Sequence, residues 1–133
     1  MSRIVEASES PEHKRLVKSL IDYMNSLGFT TTCASYAGFN QCSEIEGHIP
    51  DVRGKNNDEL NAIGEAKTCD DLDNDRTKEQ FKAFSNREMT GGKSKGTDVP
   101  FYIAITKGCE KELDEVLHNL GLDKKGNIHR VSF

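Results

Sequence analysis

No run of about 18 consecutive apolar residues occurs anywhere in the chain, so nothing in it is suited to spanning a bilayer as a helix. The opening "MSRIVEASES" has no apolar block behind Arg3, so a secretory signal is not expected, and the expectation is a soluble, cytoplasmic protein without a membrane partner. Close cysteine pairs are absent too. Cys33, Cys42, Cys69 and Cys109 are spread singly, unlike a zinc site or a redox motif, and free thiols are expected of them. A zinc site joining Cys33 and Cys42 to a histidine is poorly supported by the spacing. "GGKSKG" lacks the spacing of a phosphate-binding P-loop and has no strand leading directly into it. The alternating Asp71, Asp73 and Asp75 invite a calcium-loop reading. That loop needs glycine at its sixth position and glutamate at its twelfth, where Arg76 and Lys82 stand. His13, His118 and His129 offer no spacing that suggests a catalytic triad.

What is present is enough chain for one domain spanning residues 1–133, at 35% apolar and 30% charged residues. The net charge of -4 hides an asymmetry. Residues 1–75 carry 7 basic and 14 acidic side chains, whereas residues 76–133 carry 11 and 8. The stretch from Arg76 to Lys95 holds 6 basic and 2 acidic residues. Lys78, Lys82, Arg87, Lys93 and Lys95 are therefore candidates for contacting nucleic-acid phosphates, beside the plainer reading of a solvated helix face and loop.

Apolar residues at Leu16, Val17, Leu20, Ile21, Met24 and Leu27 predict an amphipathic helix, with Ser10 as N-cap, Pro11 at the first helical position and Gly28 at the stop. "FTTTCASYA" from Phe29 predicts a first strand. "EIEGHIPDVRG" predicts a second, bent around Gly47 and Pro50, and "LNAIGEAKT" a third, the three forming an antiparallel meander. A helix over 75–89 follows, anchored by Phe81 and Phe84 and capped by Asp73 or Asp75. "TGGKSKGTD" reads as a mobile glycine-rich loop, "VPFYIAIT" as a strand buried on both faces, and "CEKELDEVLHNLG" and "NIHRVSF" as a final helix and strand. The expected order is αβββαβαβ, an α/β fold around a mixed central sheet flanked by helices.

Side chains alternate along a strand, so Ile63, Glu65 and Lys67 share one face of the third strand while Gly64 and Ala66 point the other way. Burying an acid and a lysine without compensation costs several kcal/mol. Asp51 and Glu65 could converge on a divalent cation with the Ala66 carbonyl as a further oxygen ligand, a set that suits Mg2+ and leaves room for its waters. Such an ion polarises a phosphodiester and acidifies a water, and Lys67 either orients that water or stabilises the charge developing at phosphorus. An unperturbed lysine is a poor base, which favours positioning and charge stabilisation. The same three residues also read as a Pro-Asp turn and an ion pair on an exposed strand face.

Pro50 and Asp51, followed by "EAK" at Glu65, Ala66 and Lys67, resemble the signature of the PD-(D/E)XK nuclease superfamily, and the αβββαβ order over residues 11–106 resembles its restriction-endonuclease-like core. The resemblance implies a Mg2+-dependent endonuclease, with Mn2+ as a substitute metal, that cleaves DNA. Asp51 and Glu65 would be metal ligands and Lys67 the catalytic lysine. Gln80, four residues before Phe84, resembles the glutamine that several branches carry on the following helix. Glu12, with Glu9 in reserve, would be the first-helix glutamate of other branches, although both suit a helix's first turn as dipole partners. Glu46 and His48 are further candidates. Little surface remains for reading sequence, so specificity would come from DNA structure, a partner or a homodimer, as in a junction-resolving, repair or restriction-type enzyme. The alternative is a non-catalytic nucleic-acid-binding or assembly subunit of the same fold.

Overall fold

The computed structural model describes residues 10–91 and 95–133, which leaves Glu9 and Lys93 outside the described residues. Among the described residues it is an α/β arrangement of three α-helices on one five-stranded mixed sheet. Helix α1 (Pro11–Ser26) precedes strands β1 (Thr30–Ala34), β2 (Val52–Lys55) and β3 (Asn61–Lys67); helix α2 (Asp75–Ser85), strand β4 (Phe101–Ile105), helix α3 (Glu110–Asn119) and strand β5 (Ile128–Ser132) complete the order. Strands lie side by side in chain order. The β1–β2–β3 meander is antiparallel, and β3, β4 and β5 run parallel, each parallel step crossing over through a helix.

Small residues set the distance between α1 and the sheet. Ala62, Ala66 and Ala104 form a floor on which Leu16, Val17, Leu20, Ile21 and Met24 pack. Gly64 lies in that floor, where an added Cβ would come within 2.8 Å of Leu20 Cδ2 and 2.9 Å of Met24 Sδ. The opposite face carries Ile63, Phe101, Ile103 and Ile105 against Phe81, Phe84, Leu113 and Leu117. β4 is buried along its whole length, as its uninterrupted apolar run requires. The α1 cap is the expected one: Ser10 Oγ accepts from His13 N at 3.1 Å with Pro11 in the first turn.

Four expectations are corrected. The second strand is shorter than its sequence suggests. Glu46 (φ 50°) and Gly47 (φ 84°) both adopt left-handed backbone, closing a two-residue hairpin turn in which Ile45 N donates to His48 O at 2.7 Å and His48 N to Ile45 O at 3.0 Å. Pro50 then offers no N–H, and the chain joins the sheet only at Val52. Helix α2 ends at Ser85 rather than Met89, because Arg87 and Met89 turn their backbone groups to an extended partner: Val99 N donates to Arg87 O and Met89 N to Thr97 O, each at 2.8 Å. Its cap is Asn74, not Asp73 or Asp75, with Asn74 Oδ1 accepting from Thr77 N at 2.8 Å.

The cysteines, expected as free thiols, are paired as Cys33–Cys42 and Cys69–Cys109, with Cα separations of 5.0 and 5.7 Å. Linear spacing hides both meetings. The segment after β1 doubles back, with Ala34 N donating to Asn40 O at 2.9 Å, and returns Cys42 to the strand that carries Cys33. Cys69 and Cys109 follow the ends of β3 and β4, which the parallel register Lys67 to Ile105 places together. No helix among the described residues is long and apolar enough to cross a membrane.

The packing of α1 on Gly64 is testable. Gly64→Val should destabilise the protein by about 1–3 kcal/mol in urea denaturation, and Gly64→Ala by less, because Leu20 and Met24 are themselves buried and have little room to retreat. Equal stability of all three proteins would mean that α1 does not sit this close.

Candidate functional site

The site forms where β2 has not yet begun. Ile63 N donates to Pro100 O at 2.9 Å, so the odd-numbered residues of β3 turn their backbone groups toward β4, and Gly64 and Ala66 turn theirs toward β2. The β2 ladder stops at the Val52 to Gly64 pair, leaving the Ala66 N–H and C=O beyond its end. Asp51 fills that gap. Its Oδ2 accepts from Ala66 N at 2.9 Å, while its own N–H donates to Glu65 Oε1 at 3.1 Å. Two carboxylates, one from the residue before β2 and one from β3, are thus interlocked through backbone amides, and Asp51 is further tied to the residue after β1 by Ser35 N donating to its carbonyl at 2.8 Å.

Lys67 completes the group, its Nζ 3.5 Å from Glu65 Oε2. Asp51, Glu65 and Lys67 are 7%, 3% and 9% exposed, which overturns the reading of an ion pair on an open strand face. All three line one cleft of about 690 Å³, together with the Ala66 backbone, His48 and Gln80. Burial, joined by the negative charge of Asp51, pushes the Glu65 carboxyl up to about 8, while Lys67, the Asp51 amide and His13 pull the other way. A carboxyl raised against that opposition lacks positive charge, which is what a cation would supply.

The remaining expected residues divide. Gln80 lines the cleft and is 3% exposed, and its buried Oε1 has no hydrogen-bond partner. His48 lines the cleft with its ring edge-on to Phe84 and its Nε2 3.9 Å from Glu79. Glu12 does not line the cleft, and its Oε2 accepts from Thr106 Oγ1 instead. Glu46 is exposed at the hairpin tip. Of the basic residues, Lys78 pairs with Asp73 at 3.1 Å, Lys82 and Lys95 are exposed, Arg87 is half-buried, and none of these four lines the cleft.

Two residues escaped the sequence reading. Arg76 lines the cleft from the first turn of α2. His13 reaches it from α1, with Nε2 3.2 Å from Asp51 Oδ2 and its side chain 16% exposed. Its one sequence signal was its place in the first turn of a capped helix, the position also searched for a glutamate.

The donors present suit a hard divalent cation. Among the described residues no three His, Cys, Asp or Glu side chains gather as a metal cage. An ion here would rest on Asp51, Glu65 and the Ala66 carbonyl and keep several of its waters, the coordination Mg2+ favours. No protein-family model, curated protein sequence or solved structure matches the chain.

The raised Glu65 carboxyl makes stability fall with pH. Unfolded, this group titrates in the usual carboxyl range; folded, it holds its proton to about 8, so between these values the folded state binds more protons and loses stability as pH rises. In chelator, urea denaturation from about pH 5 to 9 should show wild type losing stability relative to Glu65→Gln, whose amide oxygen still accepts from Asp51 N. Parallel profiles would mean that Glu65 ionises normally.

Proposed function

We propose that this protein is a divalent-metal-dependent endonuclease that hydrolyses DNA phosphodiester bonds. The observation that carries the reading is the burial of Asp51, Glu65 and Lys67 in one cleft, with the two carboxylates interlocked through the Asp51 and Ala66 amides. The αβββαβ order of elements and the Pro50–Asp51 and Glu65–Ala66–Lys67 spacing support placing it with restriction-endonuclease-like nucleases of the PD-(D/E)XK type.

Mg2+, or Mn2+ in its place, would be held by Asp51, Glu65 and the Ala66 carbonyl, and when bound supplies polarisation of the phosphoryl group and an acidified water. The protein's own groups do the rest. Lys67 presents a buried ammonium on the same strand face as Glu65, and in a cleft of reduced dielectric its charge stabilises the extra negative charge that develops at phosphorus. Glu65 holds Lys67 toward the cleft and, through Asp51 N, keeps the second carboxylate in register. Gln80 brings an unused buried acceptor to the same cleft, where it orients a water or a substrate hydrogen. Arg76 and His48 line the cleft and suit contact with backbone phosphates. A domain of this size leaves little surface for reading base edges, so selection between branched and linear DNA would come from DNA shape or from a second copy of the chain.

Plasmid, single-stranded, branched and RNA substrates, each with Mg2+, Mn2+ or chelator, test the reading. Cleavage should require metal, and Asp51→Asn and Lys67→Ala should each reduce it by roughly 10²–10⁴-fold while binding of DNA persists. Binding without metal-dependent cleavage would favour a nucleic-acid-binding subunit of the same architecture. Cleavage unchanged in both variants would remove these residues from the chemistry.

A further inference from the structure

We infer that His13 sets the cation preference of the site by occupying one oxygen of Asp51. The inference rests on the metal-dependent reading above and assigns a residue that the sequence motif does not include.

A carboxylate can meet a cation through one oxygen or both. Asp51 Oδ2 already accepts from two donors, Ala66 N at 2.9 Å and His13 Nε2 at 3.2 Å, which fills its two lone-pair directions. The Nε2–H tautomer, or the imidazolium, is the form that donates here. Only Oδ1 is left for an ion. Glu65 differs, with one partner on each oxygen: Oε1 accepts from Asp51 N at 3.1 Å and Oε2 faces Lys67 Nζ at 3.5 Å, so neither is filled. Asp51 is therefore the carboxylate limited to a single oxygen.

That limit discriminates between cations of equal charge. Mg2+ and Mn2+ accept single oxygens in a near-octahedral shell, whereas Ca2+ takes six to eight oxygens at longer distances and gains from carboxylates that bind through both. Of the two donors on Oδ2, Ala66 N is a backbone group, which only proline would remove and at the cost of the strand itself. His13 is the side-chain half of the lock. Its position is built in: Ser10 Oγ accepts from His13 N at 3.1 Å, pinning the first turn of α1, and the ring reaches from the helix on the Ala66 face of the sheet to the carboxylate of Asp51, whose backbone N–H donates to Glu65 on the other. His13 is thus a positioning residue, acting on the ion through Asp51.

The test measures metal binding without substrate. Wild type, His13→Ala and His13→Gln are titrated with Mg2+ and with Ca2+ by calorimetry at one fixed pH near 8, and thermal melts in chelator check that each is folded. His13→Ala should lose roughly 10-fold or more in Mg2+ affinity, the usual effect of removing a group that orients a metal ligand, while Ca2+ binding holds or improves, so that the Mg2+ to Ca2+ ratio falls. His13→Gln, which keeps an N–H donor, should retain the wild-type ratio. Folded His13→Ala with an unchanged ratio would overturn the inference and leave the nuclease reading intact. Failure of His13→Gln to restore the ratio would also overturn it, since the imidazole would then be acting as a ligand itself. Absence of divalent-ion binding in wild type would overturn both this inference and the reading beneath it.

Discussion

The hydrogen bond from Ala66 N to Asp51 Oδ2 is the contact on which the site depends. In an uninterrupted sheet that amide would be satisfied by the neighbouring strand. Here β2 starts one step too late, and a carboxylate stands where a strand carbonyl would be. The exchange is favourable because an N–H to carboxylate bond is stronger than one to a neutral carbonyl, and because a buried amide left without a partner costs about 1–3 kcal/mol. It also places negative charge at the N-terminal end of β2, beside Glu65 on the central strand. The late start of β2 follows from the two left-handed residues at Glu46 and Gly47 and from Pro50, so a turn some five residues away creates the vacancy that Asp51 occupies.

The consequence is a cluster built to be incomplete. Two buried carboxylates and one ammonium leave a net negative charge, and the protonation of Glu65 to about 8 is how the protein alone relieves it. A divalent cation would relieve it differently, releasing the proton and binding both acids. On the proposed reading, stability and chemistry are linked at one residue: the arrangement that weakens the metal-free fold at high pH is also the one that would attract a divalent cation. The three layers cooperate in holding it. β3 carries Glu65 and Lys67, α2 brings Gln80 and Arg76 over them, and α1 sends His13 from the opposite face.

Much of this was legible from residue order. The apolar stripe from Leu16 to Met24, the Ser10 cap, the strand alternation that puts Glu65 and Lys67 on one face, and the buried run at Phe101–Ile105 all follow from local periodicity and appear as expected. Boundaries were less legible. α2 stops at Ser85 because Arg87 and Met89 find partners in Val99 and Thr97, and no local signal announces partners that far along the chain. The cysteines were misread for a similar reason: Cys69 and Cys109 are forty residues apart in sequence and adjacent only because β3 and β4 run in parallel register.

By itself the sequence determined which elements form, which faces of them are apolar, and that an acid and a lysine share a strand face, because each of these depends on side-chain spacing along a few neighbouring residues. Only the tertiary structure decided that Asp51 caps Ala66, that His13 joins it from another layer, and that Arg76 and Gln80 line the same cleft while Glu12 turns to Thr106. Those are meetings between distant segments, set by where each strand begins and how the sheet is registered, and hydrogen-bond partners chosen over such distances leave no pattern in the residues that lie between them.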